Sequence, residues 1–179
     1  MNGKWIYLAQ RNPRLDRAAF VKRWLSHRTL GAPPAMGAEF VTADYAAVRA
    51  GEIGSVSEEY DAVGLFALRG LASIPTVAGF LKLDHIQADE KRFFTTTSEN
   101  FSMFCAEKVV LGGDYTAHVI VQFLRRASGV SPHDFEQAWA GQGTAALSGL
   151  SRHVQNVVIA PPPPGFGYDG VAEFWFADE

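Results

Sequence analysis

The sequence predicts an α+β fold of two tandem β-α-β-β-α-β units, the second incomplete. Three observations carry this. "FVKRWLSHRTL" (20–30) aligns with "FEQAWAGQGTAAL" (135–147), placing Phe20 on Phe135, Trp24 on Trp139 and Thr29 on Thr144, and the same offset places Arg11 on Arg126. "YDAVGLF" (60–66) matches "YDGVAEF" (168–174) in Tyr, Asp, Val and Phe. Strand and helix patterns then follow in the same order after each match. The units fall at 1–113 and 114–179.

In the first unit "KWIYLAQ" alternates as a strand and ends in the turn "RNPRLD", with Asp16 placed as N-cap. Phe20, Trp24 and His27 follow at i, i+4 and i+7, one face of a helix that Gly31 and the "APP" after it stop. "EFVTADY" and "YDAVGLFAL" read as the second and third strands. "SIPTVAGFLKLDHIQADEKRF" reads as one amphipathic helix burying Val77, Phe80, Leu81, Leu83 and Ile86, and "FSMFCAEKVVL" as the fourth strand. This is the ferredoxin-like order. The second unit repeats it through the strand "HVIVQFLRR", a helix opened by Ser131, Pro132 and Asp134, and the strands "RHVQNVVIA" and "YDGVAEFWF". "PPPPGFG" between these two strands reads as a stiff extended loop. A second helix and fourth strand have no counterpart, which leaves an edge for further chain or a partner to cover.

Composition excludes several function classes. Apolar residues make up 47% and charged residues 20% of 179, as in ordinary globular chains. A net charge of −3 and a pI near 5.9 give no basis for nucleic-acid or anionic-membrane binding. No run approaches the ~20 apolar residues of a membrane span, and the N-terminus has no export pattern, so a cytoplasmic address is expected. Cys105, the single cysteine, sits in "FSMFCA" as a packed thiol, which leaves no disulfide or thiolate cluster. The five histidines lack metal-ligand spacing. "GQGTAA" fits a dinucleotide pattern in letters, but a helical segment precedes it where a strand is required. No cofactor is expected.

"F-x3-W-x2-H" after a strand and an Arg-Pro-type turn, together with "ADEKRFF" and "YDGVAEFWFADE", resembles the EthD family. The resemblance covers both units. It implies a dimeric α/β-barrel fold, in which two ferredoxin-like sheets pack face to face, here supplied by the two halves of one chain or completed in a homodimer. It departs from the pattern at Gln142, where a histidine would match His27. It implies cofactor-independent lyase, cyclase or isomerase chemistry on a hydrophobic or aromatic carbonyl-bearing small molecule.

Strand phase selects the candidate site. Ile6 and Leu8 form the purely apolar phase of the first strand and are expected to pack on helices; Trp5 and Tyr7, with His118 and Gln122 of the second unit, are expected to line the barrel interior. In the last strand Glu173 shares a phase with Val171 and Trp175, and a carboxylate in such a strand needs a partner or becomes an acid or base. His27 suits proton transfer near neutrality, though a histidine ending a helix is also stabilised by the helix dipole. The expected catalytic set is His27, Glu173, Tyr7 and Arg28, with Tyr7 and Arg28 holding an enolate or phenolate. The expected substrate contacts are Trp5, Trp24, His118, Gln122 and Trp175. The rival readings are a non-catalytic carrier of such compounds and a haem-using barrel with His27 or His118 as axial ligand.

Overall fold

The computed structural model describes residues 2–27, 39–47, 59–142, 147–160 and 162–177. The elements run β1 (Asn2–Ala9), α1 (Arg17–His27), β2 (Phe40–Ala47), β3 (Ala62–Leu68), α2 (Ile74–Phe80), α3 (Asp84–Glu90), β4 (Ser102–Leu111), β5 (His118–Leu124), α4 (Pro132–Ala140), β6 (Leu150–Val158) and β7 (Gly170–Phe176). The seven strands form one sheet in the order β2-β3-β1-β4-β6-β7-β5, with every pairing antiparallel. No helix among the described residues is long and apolar enough to cross a membrane.

The two helices marked by the aligned Phe and Trp open as their sequences indicate. Asp16 Oδ1 accepts from the Ala19 N–H at 2.7 Å, and Ser131 Oγ from the Asp134 N–H at 3.1 Å, satisfying N–H groups that a helix start leaves without partners. Phe20 and Trp24 are buried beneath α1, and Trp139 beneath α4.

The strands that carry the matched sequences share their register. Gly3 faces Leu68 and Ala9 faces Ala62 across β1–β3; the corresponding His118 faces Phe176 and Leu124 faces Gly170 across β5–β7. A bulge between Phe40 and Thr42 in β2 recurs between Leu150 and Arg152 in β6. The turn chemistry recurs as well. The Arg11 N–H donates to Asp61 Oδ2 at 2.9 Å and its guanidinium pairs with Oδ1, while Asp61 N–H donates to the Ala9 carbonyl. Arg126, Asp169 and Leu124 make the same three contacts.

Two cores lie on opposite faces of this sheet. On the helix side Trp5, Tyr7, Phe20, Trp24, Phe66, Phe93, Phe94 and Phe101 form an aromatic cluster. On the inner side Ile6, Leu8, Val63, Leu65, Met103, Cys105, Val171 and Trp175 pack together, with Val119, Val121 and Phe123 of β5 against them. The strand phases are therefore paired as expected but face the other way: Trp5 and Tyr7 lie under the helices, and Ile6 and Leu8 face inward. Every residue of β1 after Asn2 is buried, so alternation alone does not distinguish its two faces. The polar tips decide instead: the Trp24 indole N–H donates to Tyr7 Oη at 2.7 Å, and the Trp5 indole N–H to Ser102 Oγ at 2.8 Å.

Two further expectations are corrected. The expected single second helix is two short ones, because Leu83 adopts an extended ψ of 127° and starts α3 afresh at Asp84. The break lets Val77, Leu81 and Ile86 all reach the core while Leu83 stays 38% exposed. The proline-rich loop also turns: Gly165, at φ 89°, lets the Phe166 N–H reach the Pro163 carbonyl at 3.0 Å, a type II turn. The stop expected at Gly31 and the "APP" after it lies outside the described residues, as does Arg28.

Candidate functional site

The inner face carries a group of charges in a largely apolar wall. Lys4, preceding Ile6 and Leu8 in the same phase, is 1% exposed, and Glu173 is 0% exposed. Lys4 Nζ lies 2.6 Å from Glu173 Oε1 and 3.4 Å from Glu107 Oε2. Burial opposes the charge on Lys4, but the two carboxylates outweigh it and hold the ammonium above the ordinary lysine pKa. Glu173 is fully bonded. Asn156 Nδ2 donates to its Oε1 at 2.7 Å and the Trp175 indole N–H to its Oε2 at 3.1 Å.

Glu107 differs from Glu173 in its partners. Its Oε2 is buried and, apart from the Lys4 ion contact, accepts no hydrogen bond among the described residues; Asn156 Oδ1 and Arg152 Nε are likewise buried and without hydrogen bonds. All three belong to the same wall, since Glu107 faces Asn156 across β4–β6 and Arg152 faces Trp175 across β6–β7. Tyr115, half-buried in the β4–β5 connection, covers the group. Its ring meets Trp175 edge-on at 5.0 Å, the Arg152 guanidinium at 4.4 Å and Lys4 Nζ at 5.9 Å. Cys105 is buried beside the charges, and burial pushes its thiol well above the ordinary range, as a packed thiol should be.

A second polar group lies on the helix side. His27 ends α1, and its Nδ1 lies 2.6 Å from Asp89 Oδ2, with Nε2 3.9 Å from Glu90 Oε1. Arg23 pairs with the other Asp89 oxygen, and the His27 ring packs on Phe93 at 4.9 Å. Glu90 accepts from the Ser98 N–H at 2.8 Å and from Ser98 Oγ at 2.5 Å. Burial raises the Glu90 pKa above its ordinary value, and the Ser98 bonds only partly offset this.

The expected site residues are thus divided by the sheet. Glu173 and Trp175 face inward beside Lys4. His27 is held at the C-terminal end of α1, and Tyr7, Trp5 and Trp24 are buried in the aromatic core on the same side, so none of these four meets Glu173. His118 and Gln122 share the phase of Tyr7, on the outer face of β5, with Gln122 exposed. The sequence reading missed Lys4, Glu107, Asn156 and Arg152. A signal for Lys4 was present in its phase with Ile6 and Leu8, but a lysine near a strand start is ordinarily a solvent residue.

Among the described residues no three His, Cys, Asp or Glu side chains gather as ligands for a metal ion. No protein-family model, curated protein or solved structure matches the chain.

Proposed function

We propose that the chain is an EthD-like acid/base enzyme acting on a hydrophobic or aromatic carbonyl-bearing small molecule, built from ferredoxin-like units at 1–113 and 114–179, with its site on the inner face of the sheet. The observation that carries the reading is the Lys4–Glu107–Glu173 group. Three buried charges are no more stabilising than well-packed apolar residues of the same size, and such groups concentrate at functional sites. The shared registers, bulge and Arg–Asp turns support the tandem arrangement.

The partners assign the roles. Glu173 has both oxygens occupied and serves as a positioning residue that orients Lys4. Glu107 Oε2 meets the Lys4 ammonium at 3.4 Å and no other donor among the described residues, and Glu107 is the base. It takes a proton from the carbon next to the carbonyl, while the Lys4 ammonium stabilises the oxyanion that develops. Tyr115 and Trp175 supply the apolar contact for a ring.

Proton abstraction next to a carbonyl is detectable without knowing the natural substrate. A panel of aryl ketones and aromatic β-keto acids in D2O, followed by proton NMR, should include compounds whose α-protons exchange faster with the protein. Glu107→Gln should abolish that acceleration. Compounds that bind without accelerated exchange, throughout the panel, would assign the chain to the carrier class instead.

A further inference from the structure

The bulge in β6 changes which of its side chains meets the inner face. Leu150 faces Phe176 on the outer side of β7, and Arg152, not Ser151, faces Trp175. The extra residue turns Arg152 into the wall beside Trp175, whereas regular pairing would leave it on the outer side with Leu150. Backbone geometry thus delivers a guanidinium next to the Lys4 group.

The β4–β5 connection fixes how that guanidinium is turned. Gly113 lies so close to β6 that a Cβ there would run into the Ser151 carbonyl, and this approach lets the Gly113 carbonyl accept from Arg152 Nη1 at 3.0 Å. Ser151 Oγ holds the same connection, lying 3.3 Å from the Asp114 carbonyl and 3.0 Å from that of Trp175. Tyr115 covers the guanidinium face at 4.4 Å. One edge is left. Nε is buried without a hydrogen bond, while Nη2 has no partner among the described residues and is not buried. The carboxylates of this wall, Glu107 and Glu173, pair with Lys4, and none pairs with Arg152 among the described residues. An Nε–Nη2 edge presents two parallel N–H groups at the spacing of a carboxylate's two oxygens. A buried N–H without an acceptor is a cost that a ligand oxygen removes.

We propose that Arg152 binds a carboxylate of the ligand side-on through Nε and Nη2, so that the compounds this site takes are aromatic keto acids and not neutral ketones. The carboxylate stays at the solvent side of the wall, where Nη2 is reached. The ring lies on Tyr115 and Trp175, and the carbonyl points to Lys4, whose Nζ is 5.9 Å from the centre of the same Tyr115 ring. The placing of the carbonyl rests on the reaction proposed above; the carboxylate site does not.

The probes are β-benzoylpropionate, an aryl ketone bearing a carboxylate, and its primary amide, which has the same size and no charge. In calorimetric titrations of the full chain the acid should bind about tenfold more tightly than the amide, as a charge-assisted pair implies. Arg152→Gln should remove that advantage. Arg152→Lys should restore no more than part of it, because an ammonium has no paired N–H edge. The acid should also move the Arg152 Nε–H resonance of the isotope-labelled chain, assigned by its disappearance in Arg152→Lys, and the amide should leave it in place. The comparison of acid with amide on the unaltered chain requires no variant to fold. Equal affinities for acid and amide, or an acid preference that Arg152→Gln retains, would overturn the proposal. Proton exchange on the same two probes separates it from the reaction. An acid preference without accelerated exchange sinks the reaction and leaves the carboxylate site standing, and accelerated exchange on both probes with equal affinities does the reverse.

Discussion

Lys4 Nζ sits 2.6 Å from Glu173 Oε1, joining the first strand of the chain to the last. β4 and β6 separate these strands, a distance of about 14 Å in a flat sheet, so the contact requires the sheet to curl over its inner face. Removing Lys4 leaves Glu173 and Glu107 buried without their counter-ion. Lys4→Met should therefore cost about 3–5 kcal/mol, and Lys4→Met combined with Glu173→Leu should recover part of it, Glu107 staying buried without the ammonium. Urea denaturation of the single and double variants tests this. A double variant no more stable than Lys4→Met would mean that the pair does not act as a unit.

The two Arg–Asp turns share geometry but not surroundings. The Asp61 side chain is 5% exposed and also meets Arg17 at 3.1 Å, whereas that of Asp169 is 20% exposed and Pro132 stands where Arg17 would be. Asp61→Ala should cost about 2–3 kcal/mol, and Asp169→Ala only about 1 kcal/mol because solvent screens the exposed pair. Equal losses in a chemical denaturation series would show that exposure and the extra arginine do not set their strength.

The α+β class and the order of strands and helices were legible in the sequence. Phe20 with Phe135, Trp24 with Trp139 and the two Tyr-Asp strands fixed the element order, and Glu173 stood out as a carboxylate among apolar neighbours. The facing of β1 was not legible. Both of its faces are buried, and whether an aromatic or an aliphatic phase meets the helices depends on partners such as Trp24 and Ser102 that come from elsewhere in the chain. Lys4 was hidden for the same reason. Its two carboxylates come from β4 and β7, and no local pattern brings them together. His27 is placed at the end of α1 by its spacing from Phe20 and Trp24, but its partner Asp89 depends on how α3 docks after the break at Leu83.

Gly170 tests the packing of the second helix. A Cβ at Gly170 would run into the Trp139 ring, while the corresponding residue in the first half is Ala62, fully buried. The difference traces to Trp24, whose ring is drawn toward Tyr7 by their hydrogen bond; the residue in the place of Tyr7 is Gln122, which is exposed. Gly170→Ala should destabilise by about 1–3 kcal/mol through overpacking. Adding Trp139→Leu should remove the clash, so that alanine costs nothing further in that background. A full alanine penalty in the Trp139→Leu variant would place the strain in the backbone of β7 instead.

Glu90 should make stability fall as pH rises. The residue is 3% exposed, and burial lifts its pKa above the ordinary value of 4.5, helped by Asp89 and opposed by Ser98 and by His27, whose Nε2 is 3.9 Å away. Between the unfolded and folded pKa values the native state holds the proton more often than the unfolded state does. The favourable contribution is complete below the unfolded value and is lost as pH climbs through the folded one. Glu90→Gln keeps an acceptor for the Ser98 N–H and cannot ionise, so its stability relative to the parent should increase with pH from about 4 and then level off. Each tenfold change in proton affinity on burial adds about 1.4 kcal/mol to that plateau. Urea denaturation of both proteins across this range gives the sign directly, and a parent that gains on the variant as pH rises would mean that Ser98 and His27 outweigh burial.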